Sequence, residues 1–169
     1  SMKRTLRGDG MKSKHRKASH AKRKYMAADP LSIYRVMNRI TTLTPEEQME
    51  MALPVRTAFE SIKKGTGTPD DFEELAKAVN VSLVGGERIS PLVVGVCAQA
   101  RDGMRRALDR FQRLGKWGFD GPALQVLPEV IDLYEQLLAL CTATQLKSYM
   151  LECQKRIKER NATLEVEDV

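Results

Sequence analysis

Thr68-Pro69-Asp70-Asp71-Phe72-Glu73-Glu74-Leu75-Ala76-Lys77-Ala78-Val79-Asn80-Val81-Ser82-Leu83-Val84-Gly85-Gly86 holds the start, body and stop of one helix. The Thr68 hydroxyl can accept from a backbone N–H three residues on. Pro69 suits the first helical position, where a missing N–H costs nothing. Asp70, Asp71, Glu73 and Glu74 sit in the first turns, where the helix dipole favours negative charge. Phe72, Leu75, Ala76, Val79 and Leu83 fall on one face at helical spacing, and Gly85-Gly86 ends the pattern.

The same start signal recurs on both sides. Thr44-Pro45-Glu46-Glu47 reads as a capping box, with Met51, Val55, Phe59 and Ile62 as its stripe. Pro54 within it predicts a kink or break near Met51–Leu53. Lys63-Lys64 ahead of Gly65 is a C-terminal signature, cations followed by a left-handed cap. Ser90-Pro91 opens a helix that runs to Leu114, with Leu92, Val96, Ala100, Met104, Leu108 and Phe111 on one face. Gly95 and Gly103 inside it fit close packing or a bend. Gly115-Lys116-Trp117-Gly118-Phe119-Asp120-Gly121 is the clearest loop. A helix then begins near Pro122 and ends near Cys141, striped by Leu124, Leu127, Ile131, Tyr134, Leu137 and Leu138, with Pro128 internal. Thr142-Ala143-Thr144-Gln145 caps the last helix, which carries Leu146, Met150, Cys153 and Ile157 and frays near Asn161. Upstream, Asp29-Pro30 starts a helix with Ile33, Met37 and Ile40.

No segment reads as a strand. Short loops between amphipathic helices favour antiparallel packing, so the expected fold is all-α: an antiparallel bundle of five to six helices over residues 29–162. An acidic tail, 163–169, follows it. With aromatics at 5%, the core must come from Leu, Val, Ile, Ala and Met. Cys97, Cys141 and Cys153 lie in apolar helical patterns with no C-x-x-C pair, which suits free thiols in a reducing, cytoplasmic setting. No apolar run reaches the ~18 residues of a membrane span, and the N-terminus lacks the apolar centre of a secretory signal.

Charge divides the chain. Residues 1–28 hold ten Lys/Arg and a single acid, Asp9, a net of +9; residues 29–169 hold eighteen Lys/Arg and twenty-one acids, a net of −3. The whole excess of +6 therefore belongs to a basic N-terminal arm. Like-charge repulsion extends such an arm in isolation. Lys12, Lys14, Arg16, Lys17, Lys22, Arg23 and Lys24 suit phosphates, and Tyr25 can stack on a base. Eight phosphate contacts would give a salt slope of about −7. The alternatives are an arm that grips an acidic protein surface and an arm that only solubilises.

In the body, Arg106, Arg110 and Arg113 recur at three- and four-residue spacing and make one cationic helix face, with Asp102 and Asp109 nearby. Residues 68–84 do not suit a recognition helix, because their acids repel a phosphate backbone. Trp117 and Phe119 in the Gly-rich loop are candidate protein-contact anchors; the competing reading is a lid over one end of the bundle. Enzymatic chemistry is not expected, since residues 29–169 contain no His and no nucleophile–base pair. Nor is a metal or cofactor: His15 and His20 have no Cys or acid closer than Asp9, and Gly65-Thr66-Gly67-Thr68 lacks the P-loop lysine.

Several short motifs carry a family resemblance. They are Lys22-Arg23-Lys24-Tyr25 before an Xaa-Pro helix start, the Lys63–Thr68 turn ahead of Asp70-Asp71, and the Ala76–Val81 stretch with Asn80. Gly115-Lys116 before Gly118 and a Gln/Leu-rich last pair of helices complete the set. Over residues 22–160 the chain resembles a family of small helical proteins of proteobacterial genomes and their phages, loosely labelled Fis-type regulators. The family's late helix has a His-Asp-Ala-Gln-type stretch where this chain has Glu135-Gln136-Leu137-Leu138, so no catalytic residue carries over. The resemblance implies an accessory protein of a phage or mobile element. Two functions stay open at this point: binding of DNA or RNA with little sequence preference, and inhibition or adaptation of host machinery through a protein surface. Either is compatible with a homo-oligomer.

Overall fold

Five helices account for almost all of the computed structural model, which describes residues 41–167, with side chains over 41–161. They are α1 (Pro45–Lys63), α2 (Pro69–Gly86), α3 (Pro91–Leu114), α4 (Gly121–Leu140) and α5 (Ala143–Glu167). They belong to one compact unit, Arg39–Val169. The arm and the helix expected from Asp29 lie outside the described residues. Among the described residues there is no strand. An isolated antiparallel bridge joins Thr42 to Thr142, and the Ala143 amide donates to the Thr41 carbonyl at 3.1 Å. The segment entering α1 is thereby pinned to the start of α5.

The helix starts follow local chemistry. Thr44 with Glu47 and Thr68 with Asp71 form full capping boxes. Ser90 caps α3, Asp120 caps α4, and Thr142 exchanges bonds with Gln145 at the start of α5. Gly65 and Gly115 take positive φ, +82° and +66°, where an L side chain would be strained. Neither Pro54 nor Pro128 breaks its helix: α1 and α4 are continuous, and both prolines are exposed. α5 continues past Asn161 to Glu167, so its end lies beyond the point where the sequence suggests fraying.

α2 is the centre of the bundle and packs against α1, α3, α4 and α5. That explains why its burial exceeds one stripe. Leu75 and Val79 are buried as expected, and so are Ala78, Val81, Ser82, Val84, Gly85 and Gly86. A helix enclosed by four others must be apolar most of the way round. The Ser82 hydroxyl sits fully buried there without a hydrogen-bond partner among the described residues.

Three stripes differ from expectation. The α3 face that is buried is Cys97, Ala100, Gly103, Met104 and Ala107, while Leu92 is 83% exposed. The expected stripe advanced four residues at a time, and each such step overshoots a turn by about 40°. A face extrapolated from Met104 back to Leu92 therefore rotates out of the core. Leu124 is exposed at the start of α4, and Ile157 is exposed on α5.

Candidate functional site

Every body residue singled out by the sequence lies at one end of the bundle, where α1 and α3 finish and α2 and α4 begin. The two loops of this end touch: the Trp117 carbonyl oxygen lies 3.7 Å from where a Cβ on Gly65 would stand. Aromatic side chains fasten them. Trp117 stacks on Phe111 of α3, with centroids 4.2 Å apart and planes within 6°, and on Phe72 of α2 at 5.3 Å. Phe119 stacks on Phe59 of α1 at 5.5 Å, and the Lys63 ammonium stands 6.0 Å from the Phe59 ring.

This arrangement corrects the anchor reading of Trp117 and Phe119. Both are buried, at 6% and 9% exposure, and each spends a ring face on a neighbouring ring. A contact anchor needs a face open to a partner. The loop instead folds its aromatic edge inward and closes the end of the bundle, because Phe59, Phe72 and Phe111 arrive there from three helices.

The cationic face is also smaller than its spacing suggests. Arg106 donates from Nε to Asp120 Oδ2 at 2.5 Å and from Nη2 to Oδ1 at 3.3 Å. Asp120 simultaneously caps α4 by accepting from the Ala123 amide at 2.9 Å. The Arg106 guanidinium, with help from that amide, holds the Asp120 carboxyl below its ordinary range. Arg106 is thus a strut between α3 and α4, and the charges of the pair cancel. Arg110 lies along Gly118: a Cβ there would be 3.5 Å from its guanidinium carbon. Arg110 and Arg113 are exposed and have no ion-pair partner among the described residues.

Two cations not singled out beforehand share this end. Lys64 follows α1, and Lys116 follows α3; both are exposed. In sequence they read only as helix-end punctuation, and the adjacency of the two loops is what groups them with Arg110 and Arg113. Lys63 is tied to Glu60 at 4.0 Å, and Asp109 is exposed beside Arg110. The site is therefore a modest cluster of mobile-tipped cations around a rigid aromatic plug. It can neutralise phosphates or carboxylates, and it has no base-reading or nucleophilic group.

The other strong cations are committed elsewhere. Arg56 of α1 holds Asp132 at 3.0 Å and Glu135 on α4. Arg156 of α5 makes a fork to Glu87 at 2.6 and 2.9 Å and also binds Glu152. Lys12, Lys14, Arg16, Lys17, Lys22, Arg23, Lys24 and Tyr25 lie outside the described residues. No helix among the described residues is long and apolar enough to cross a membrane.

No protein-family model, no curated protein and no solved structure matches this chain.

Proposed function

We propose that the chain binds nucleic acid through its basic N-terminal segment, with Lys64, Arg110, Arg113 and Lys116 as an auxiliary phosphate contact on the body. The observation that carries this reading is the charge division: ten cations and one acid in residues 1–28, against a body of net −3. Polyanions attract such a segment through counterion release, whatever their sequence. Weak sequence preference follows, since neither the segment nor the body cluster offers side chains arranged against base edges. An accessory role in a phage or mobile element rests on the family resemblance alone.

The experiment is binding of a labelled duplex of about 30 base pairs, the matching single strand and the matching RNA, at low and near-physiological salt. The protein is compared with a full-length variant whose Lys12, Lys14, Arg16, Lys17, Lys22, Arg23 and Lys24 are changed to Gln. Binding that survives near-physiological salt and is lost in the variant supports the reading. Binding of equal strength in both proteins refutes it. The net −3 of residues 29–169 favours one second reading, an inhibitor or adaptor whose arm grips an acidic protein surface. That reading predicts capture of a protein in the same salt that releases DNA and RNA.

A further inference from the structure

α5 is longer than the bundle that supports it. It has 25 residues against 18 in α2, the helix it chiefly packs on. The support ends where Arg156 forks onto Glu87, the residue that caps the C-terminus of α2. The backbone then continues as helix from Ile157 to Glu167, roughly 16 Å at 1.5 Å per residue.

The packing stripe does not stop at that point. Leu146, Met150, Cys153 and Ile157 advance by four, three and four residues, the step of a narrow helix–helix seam. Leu146 is fully buried, Met150 and Cys153 are half-buried, and Ile157 is 43% exposed. Leu164, one heptad past Ile157, continues the register. Beside the end of α2, Ile89 and Leu92 are exposed too, at 55% and 83%. The seam is thus satisfied within the bundle at one end and left apolar and open at the other.

The charges along the overhang indicate what covers it. Lys155, Lys158 and Arg160 precede Glu165 and Glu167. A second copy laid antiparallel sets each basic run on the partner's acidic run, whereas a parallel copy sets like on like. We infer that the overhang of α5 is a self-association surface, paired antiparallel with the same segment of a second copy. Eleven residues a side cover less than the ~800 Å² per partner of a standard stable interface, so the dimer is concentration-dependent. This inference stands apart from the nucleic-acid reading and uses none of its residues.

Sedimentation equilibrium of the full chain from about 1 to 200 µM, a range suited to a small interface, tests it. A monomer–dimer equilibrium is expected. Ile157→Glu puts a charge into the seam and should raise the dissociation constant by about tenfold or more. It faces solvent in the monomer, so far-UV circular dichroism should be unchanged. Lys155→Glu with Lys158→Glu should weaken association, as should Glu165→Lys with Glu167→Lys, and mixing the two variants should restore it. A monomer at every concentration overturns the inference. So does a dimer indifferent to Ile157→Glu, or charge-reversed variants that do not pair on mixing.

Discussion

Replacing Trp117 by Ala tests whether the aromatic end of the bundle is a plug or a contact surface. The ring is 6% exposed and stacked on Phe111 at 4.2 Å and Phe72 at 5.3 Å. Truncating a buried Trp typically costs about 3–5 kcal/mol, within which each stacked pair accounts for roughly 0.5–1.5 kcal/mol. Domains of this size hold about 5–15 kcal/mol in total, so the variant should stand near the edge of folding. The loss should appear as a fall in the urea midpoint with an unchanged m value, followed by far-UV circular dichroism. Trp117→Phe keeps one ring in the stack and should lose less than half as much. The chain has a single Trp, so native fluorescence reports this site alone and should be blue-shifted and shielded from quenchers. A loss below about 1 kcal/mol, the level of an ordinary surface substitution, would refute the reasoning. It would do so most clearly if partner binding fell at the same time.

The remaining predictions concern close approach, capping and pH. A Cβ on Gly103 would meet the Ala123 Cβ at 2.8 Å, so Gly103→Val should force α3 from α4 and cost about 1–3 kcal/mol, part of it regained with Ala123→Gly. Gly95→Ala, where nothing lies within 4 Å, should instead stabilise by about 0.5–1 kcal/mol in the same denaturation assay. Thr44→Ala and Thr68→Ala each remove a capping-box acceptor and should each cost about 1 kcal/mol, additively. Arg156 holds the Glu87 carboxyl below its ordinary value of 4.5, and Arg106 does the same to Asp120 below 3.8. A depressed carboxyl stabilises the fold fully above its unfolded pKa and loses that contribution as pH falls through the folded value. Stability should therefore decline below about pH 4.5, with a shallower decline in Glu87→Gln plus Asp120→Asn. Asn still caps α4, so that pair of changes isolates the ionic contribution.

What was legible in the sequence was local. A capping box is written in four residues, and Thr44–Glu47, Thr68–Asp71 and Thr142–Gln145 all form as their chemistry requires. Core positions one or two turns from a cap were equally readable, as with Val55, Phe59 and Ile62. Errors grew with distance from such an anchor. Leu92 was assigned by stepping along a long helix, where a small angular error per step accumulates. Val81 and Val84 were missed because a second buried face on α2 depends on which helices surround it. Prolines 54 and 128 were read as interruptions, yet both lie on solvent-facing sides of continuous helices.

The site was legible as composition and not as geometry. Arg106, Arg110 and Arg113 share a face by spacing, but the Arg106–Asp120 pair joins two elements and cancels one of the three charges. The burial of Trp117 depends on Phe72, forty-five positions away in the chain, so no local pattern contains it. Lys64 joins Lys116 only because two loops meet.

The most direct measurement of the central claim is the salt dependence of duplex binding for the full chain and for the Gln-substituted arm variant. The account predicts a plot of log K against log salt with a slope near −7, from about eight phosphate contacts, falling to about −3 to −4 when only Lys64, Arg110, Arg113 and Lys116 remain. Equal slopes for the two proteins, or no duplex binding by the full chain at low salt, would contradict it.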